Sequence, residues 1–265
     1  MTPVSILALI LAAQTVTGGL KSANPVTPEV KARQQALRSA AANIDKAGPD
    51  LLPLIESSLQ DSDAHVRFLA IGALTQLNMK IATGGGQQRP SPSVDPRGRA
   101  SLQTVLLQTL NDADPRLRGG AAKALAFVAP PPNATVRPAL VAAYQREREA
   151  GVRAAILSEF GTYSPNSTDV QQIIVSAITD VSPQVRRTAA MVVAKSRPPA
   201  ALQGVVAELR SGSPETRAEF LLALSSYGAA AKPHLDVLET LLRSETRPPQ
   251  RLLIQRAIAT IQGSR

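Results

Sequence analysis

Residues 180–193 read DVSPQVRRTAAMVV, and residues 112–125 read DADPRLRGGAAKAL. Laid over one another, both stretches hold an acidic residue, a Ser-Pro or Asp-Pro pair, and an Arg six places after the acid. A small residue follows that Arg by three places and an aliphatic one by seven. A short polar side chain set directly before a proline at the first helical position marks a helix start. Apolar positions four residues apart then place one buried stripe on that helix.

The same writing recurs as DSDAHVRFLAIGAL over 61–74, EREAGVRAAILSEF over 147–160, SGSPETRAEFLLAL over 211–224 and, more weakly, ETRPPQRLLIQRAI over 245–258. The aligned arginines are Arg67, Arg118, Arg153, Arg186, Arg217 and Arg251. Apart from the first interval they stand about one supersecondary unit apart, a spacing in the range that signals a helical repeat. The long first interval is explained by ATGGGQQRPSPSVDPRGR over 82–99, whose Gly, Pro and Ser content marks a surface loop. Arg33 precedes Arg67 by a similar interval, which points to a partial copy capping the N-terminal end.

Three columns define the buried side of the second helix in each copy. One place before the Arg stand Val66, Leu117, Val152, Val185, Thr216 and Gln250. Three places after it stand Ala70, Ala121, Ile156, Ala189, Phe220 and Ile254, and seven after it Leu74, Leu125, Phe160, Val193, Leu224 and Ile258. Small residues are common in the middle column, where neighbouring helices approach closely. A first helix precedes each of these, as in LLPLIESSLQ over 51–60, SLQTVLLQTL over 101–110 and VQQIIVSAIT over 170–179. No stretch alternates as a strand does. The expected fold is all-α: a right-handed α-α superhelix of about six helix pairs with an N-terminal capping helix, spanning 29–265 as a single domain.

Asp114-Pro115, Ser182-Pro183 and Ser213-Pro214 set the expected starts of three second helices. The paired helices, the turn written D-x-D/S-P-x-V-R, and the period together resemble the HEAT-repeat family, in particular the short HEAT-like repeats of phycobilisome lyases. The resemblance covers about 47–262. It implies a non-catalytic solenoid that binds a partner on the inner curve lined by its second helices.

Composition narrows the chemistry. Hydrophobic residues make up 44% of the chain but aromatics only 3%, and Trp and Cys are absent. Without Cys there is no disulfide framework, thiolate nucleophile or sulfur-ligated zinc. The two histidines, His65 and His234, lie in different copies without a second ligand at helical spacing, so no metal site and no cofactor are expected. Neither stands in a nucleophile-and-base motif, and the expectation is that the chain is not an enzyme. Gly84, Gly85 and Gly86 lack the Lys-Ser or Lys-Thr of a phosphate loop. Asn133-Ala134-Thr135 and Asn166-Ser167-Thr168 match the glycosylation sequon but fall at inter-repeat turns.

A net charge of +9 makes anionic partners worth weighing. Six places before each aligned Arg stands Asp61, Asp112, Glu147, Asp180, Ser211 or Glu245, a carboxylate in all copies but one. The resemblance implies that these residues and the arginines form a structural ladder between repeats, comprising Asp61, Arg67, Asp112, Arg118, Glu147, Arg153, Asp180, Arg186, Arg217, Glu245 and Arg251. The partner-binding set expected on the inner curve is Arg116, Lys123, Arg187, Lys195 and Arg256, interrupted by Glu215 and Glu219. The expected partner of this monomeric scaffold is a protein, acidic or extended. Sequence-independent nucleic-acid binding and a lyase-like accessory role stand as alternatives.

The run ILALILAA over 6–13 has the length of a secretory h-region and is followed by small residues, although no Lys or Arg precedes Lys21. The expectation over 1–20 is a signal peptide, with a disordered N-terminus as the alternative; the former makes an exported protein with no membrane span once the leader is removed. A cytoplasmic protein is the alternative.

Overall fold

The computed structural model describes residues 27–42, 51–83, 96–129, 133–161, 167–211 and 214–264, with side chains left aside for 77–98 and Phe127. Among the described residues every regular element is helical. The chain forms two compact units, 1–85 and 86–265.

In the first unit, α1 (Pro28–Ala42) packs on α3 (Ala64–Thr83), and α2 (Leu51–Leu59) pairs with α3. α1 has no first helix of its own among the described residues and covers α3 with Gln34 and Leu37. Its Arg33 sits in the column of aligned arginines and pairs with Asp61 at 2.6 Å.

The second unit holds five pairs. They are α4 (Pro96–Thr109) with α5 (Pro115–Val128), α6 (Val136–Arg146) with α7 (Ala150–Phe160), and α8 (Thr168–Ala177) with α9 (Pro183–Ser196). α10 (Leu202–Ser211) with α11 (Arg217–Ser226), and α12 (Leu235–Ser244) with α13 (Pro248–Gly263), complete the stack. The second helices pack in sequence, α5 on α7, α7 on α9, α9 on α11, and α11 on α13, so each repeat leans on its neighbours alone. The three columns read from sequence are the seam of this stack. Leu117, Ala121, Leu125, Val185, Ala189, Val193, Phe220 and Leu224 are all fully buried. The seam thins at the last pair, where Ile254 is buried but Gln250 and Ile258 are half-exposed.

Two boundaries differ from the sequence reading. α3 runs to Thr83 and α4 begins at Pro96, so the connecting segment is shorter at both ends than 82–99. Proline's fixed φ suits a first helical turn, and Pro96 opens the helix where composition suggested a loop. α11 begins at Arg217 with Thr216 at its N-cap, three residues after Pro214. The reason lies in the turn. In the other second-unit copies a carboxylate accepts the N–H two residues on, as Asp112 does from Asp114 at 2.9 Å and Asp180 from Ser182 at 2.8 Å. The equivalent Ser211 instead donates its hydroxyl back to Ala207 O at 3.0 Å.

Two 3-10 segments, Pro199–Ala201 and Gly228–His234, lead into α10 and α12. The Tyr227 hydroxyl ties them together by donating to Pro198 O at 2.7 Å. Burial pushes the Tyr227 phenol up to about 12, and that of Tyr144, which meets Phe160 edge-on, up to about 12 as well.

Candidate functional site

The ladder determines which charges remain for a partner. Arg118 donates from Nε and Nη2 to the two oxygens of Glu147, at 2.7 and 2.8 Å, and from Nη1 to Asp112 O and Ala113 O at 2.9 and 3.1 Å. Arg153 repeats this toward Asp180 at 3.0 and 2.9 Å, with Nη1 on Arg148 O. Arg217 reaches Glu245 at 2.9 Å. Each of these guanidiniums closes its own turn or the next repeat's turn, and most do both. Arg67 and Arg251 hold carbonyls of their own turns, Asp61 O at 2.8 Å and Glu245 O at 2.8 Å.

One rung is displaced. Arg186 holds Asp180 O and Val181 O through Nη1, but its ion-pair partner is Glu208 at 3.2 Å, one helical turn before Ser211. The buried Thr216 hydroxyl donates to that same carboxylate at 3.5 Å. A sequence column holding Ser in the acidic position concealed this carboxylate, although an acid one turn upstream on the same helix was visible.

The ladder shifts the carboxylates. The hydrogen bond from Arg118 holds Glu147 below its usual value against the pull of burial. At Asp180 burial pushes up, but the bonds from Arg153 and the Ser182 N–H bring the net shift down. Glu245, bonded by Arg247 and facing Arg217, is lowered to about 2. An open hollow beside α6 and α8 is lined by Tyr144, Glu147, Arg153, Asp169 and Asp180; the ladder engages Glu147, Arg153 and Asp180, and Arg137 pairs with Asp169.

The proposed partner-binding residues fall differently. Arg116 lies half-buried and holds its own cap residue Asp114 through Nε and Nη2, at 3.0 and 2.6 Å. Lys123, Arg187, Lys195 and Arg256 are exposed on α5, α9, α9 and α13. Lys123 and Lys195 converge electrostatically on Glu159 of α7, which lies between their helices. Burial raises the Glu159 carboxyl, and the Ser158 hydroxyl and the two lysines only partly offset this.

The position five places after each aligned Arg organises this face. In the second unit it holds Lys123, Ser158, Met191, Leu222 and Arg256, all exposed. Met191 and Leu222 are 60% and 59% exposed, on the directly packed α9 and α11, and Leu252 on α13 is 47% exposed one turn before Arg256. Scattered apolar residues on a surface need no explanation, but Met191 and Leu222 occupy equivalent positions on adjacent packed helices. Sequence reasoning missed Met191 and Leu222 because it read them as ordinary members of amphipathic helices. The signal was in the column itself, where Lys123 and Arg256 at the ends mark a solvent-facing position.

Both histidines are structural in placement. His65 stacks on Phe68, and its Nε2 lies 3.3 Å from Arg38 Nη2. His234 ends a 3-10 segment at the N-cap of α12. Asn133 Oδ1 accepts the N–H groups that open α6, and its Nδ2 donates to Gln103 at 3.2 Å. Gly84–86, Tyr163, Asn166 and the segment 1–20 expected to be a leader lie outside the described residues. Among the described residues no group of His, Asp and Glu is arranged to hold a metal, and no helix is long and apolar enough to cross a membrane.

Solved structures share this architecture at low identity. Importin beta aligns with TM-score 0.60 and 15% identity over 98% of this chain and 38% of its own. A Kap121p mutant aligns with TM-score 0.62 and 13% identity over 98% and 27%. An engineered protein aligns with TM-score 0.53 and 18% identity over 81% and 99%. At such identities the likeness concerns the solenoid fold alone. No curated protein matches the chain. Family models of HEAT repeats match residues 170–259 and 51–78, without singling out the short repeats of phycobilisome lyases. Residues 51–78 and 170–259 of the chain are thus matched as HEAT repeats.

Proposed function

We propose that this chain is a non-catalytic scaffold that holds a protein partner against the exposed face of its second helices, between Lys123 and Arg256. The observation that supports it is the row Lys123, Ser158, Met191, Leu222, Arg256. It is an apolar pair flanked by cations, at equivalent positions of successive repeats that the stack sets in line. Apolar patches rimmed by polar residues mark interaction sites, and the cations select an acidic partner and speed its encounter.

The row does not favour a polyanion, because Met191 and Leu222 interrupt the cations and Glu159 sits between the two lysines. The proposal includes export through the apolar run over 6–13. N-terminal sequencing of the natural protein tests that part, and a retained Met1 overturns it.

The test of the scaffold is affinity capture from native extract with the full chain, the Lys123→Glu/Arg187→Glu variant, and Arg243→Glu as a control on the first-helix side. The expected result is a defined protein partner retained by the control and lost by the double variant. Capture that is indifferent to all three chains, or loss only in the control, overturns the reading.

A further inference from the structure

The inference concerns what shape of partner the second-helix face accepts, and it rests on the scaffold reading above. Met191 and Leu222 occupy the same position on α9 and α11, which pack directly, so the two side chains are offset by one helix-to-helix step. Packed helices stand about 8–10 Å apart. A ligand lying across them must present apolar side chains on one side at about that interval.

An extended strand cannot do so. Its same-side residues recur every second position, at about 6.7 Å and then about 13.4 Å, and neither matches the step. An α-helix rises 1.5 Å per residue, so residues seven apart lie about 10.5 Å apart and return to nearly the same face. The interval of the face is therefore that of a helical heptad.

The charges extend the match along the row. Arg256 lies one helix step beyond Leu222, on α13. On the other side Ser158 lies one step beyond Met191 and Lys123 one step further, on α7 and α5. Lys195 stands exposed one turn along α9 from Met191, beside the row. Leu252 widens the apolar centre on the Arg256 side.

We infer that the partner element seated on this face is an amphipathic α-helix crossing the second helices. It places two apolar anchors seven residues apart on Met191 and Leu222, and acidic residues about one heptad beyond them toward Arg256 and two heptads toward Lys123. A helix of about four heptads spans the row.

The probe is a set of four fluorescein-labelled 28-residue peptides built on Ala and Gln, titrated with the full chain and followed by fluorescence anisotropy. The first carries a heptad-spaced Leu pair with Glu at the flanking positions. The second moves the Leu residues to opposite faces at unchanged composition. The third replaces Glu with Lys, and the fourth breaks the helix with a central Pro. The first peptide is expected to bind at least about tenfold more tightly than each of the others, a factor that corresponds to about 1.4 kcal/mol. That advantage is expected to vanish in Met191→Glu/Leu222→Glu, while Met191→Leu, which keeps the apolar surface, retains it. Peptide helicity at 222 nm is expected to rise on binding.

Equal affinity for the first, second and fourth peptides, or no binding of the first, overturns the helical inference. If the capture experiment still loses its partner on reversal of Lys123 and Arg187, the scaffold reading survives that failure. If capture too is indifferent, both fall.

Discussion

Removing one rung of the ladder gives the most direct test of how the repeats are held together. Arg118→Ala deletes the two-point contact with Glu147 and the bonds to Asp112 O and Ala113 O. The Glu147 side chain is only 5% exposed and Arg118 19%, so water cannot fully replace the guanidinium. Truncating one member of a buried pair costs about 3–5 kcal/mol, and residual access at Arg118 places the expectation at the lower end, about 3 kcal/mol. Glu147 keeps the N–H groups of Arg148 and Glu149 at 2.9 Å each, which limits the loss.

The single value mixes lost attraction with a stranded charge, so the cycle of Arg118→Ala, Glu147→Ala and the double variant is the measurement that isolates the pair. The expected coupling is about 1.5–3 kcal/mol. Arg210 and Asp236 supply the contrast. They also bridge adjacent repeats, at 3.6 Å, but their side chains are 59% and 68% exposed. Their coupling is expected below about 0.5 kcal/mol. Trp is absent, so urea unfolding is followed by circular dichroism at 222 nm. Stacked repeats can open piecemeal, and hydrogen exchange of the α5 and α7 amides locates the weakened interface. If the two cycles give equal couplings, or the Arg118 cycle gives less than about 0.5 kcal/mol, the ladder does not bind the repeats as described.

Three further outcomes follow from the same geometry. Glu159→Gln is expected to raise Tm at pH 7. Burial lifts the folded-state value of Glu159, so its charge destabilises the fold increasingly as pH rises above the unfolded carboxylate range; the gain should fade below about pH 4, and no gain at pH 7 refutes it. Glu147, Asp180 and Glu245 are lowered, so their stabilisation is complete above the unfolded carboxylate value and is lost as pH falls, for Glu245 down through about 2. An acid titration should therefore show stability falling below about pH 4, with a shallower slope in Glu147→Gln than in the wild type. Gly228 has φ +56, and an added Cβ would sit 3.3 Å from Ser264 Oγ; Gly228→Ala should cost about 1 kcal/mol in urea unfolding and Gly228→Asn less, with equal costs counting against backbone strain as the cause.

The fold was legible because the repeat writes its buried positions in columns. Val185, Ala189 and Val193 can be placed in the seam from 180–193 alone, and burial follows that placement. What the columns conceal are substitutions that move a function along the helix. Ser213-Pro214 copies the spelling of Ser182-Pro183, yet α11 starts at Arg217, because Ser211 offers no carboxylate to hold the turn. Its ion-pairing task passes to Glu208. The face proposed for a partner was legible only through its cations. Its apolar centre was hidden because Met191 and Leu222 are the residue types a helix buries, and only the stack shows that the described residues leave them exposed.

This division of the cations explains how a chain of net charge +9 can use arginine both as mortar and as bait. An arginine six places after a turn carboxylate is within reach of its own turn's carbonyls and of the next repeat's acid, so its charge is answered within the fold, as at Arg118 and Arg153. A cation five places after the aligned Arg, or one turn to either side of that position, lies on the opposite, solvent-facing edge of the same helix. There Lys123 and Lys195 both act on Glu159, whose carboxyl burial pushes up. On this face exposed cations thus stand beside exposed apolar side chains. For the partner proposed above, satisfying one demand without the other would leave either covered lysines unpaired or leucine-sized surface in water, a double requirement that would make the face selective.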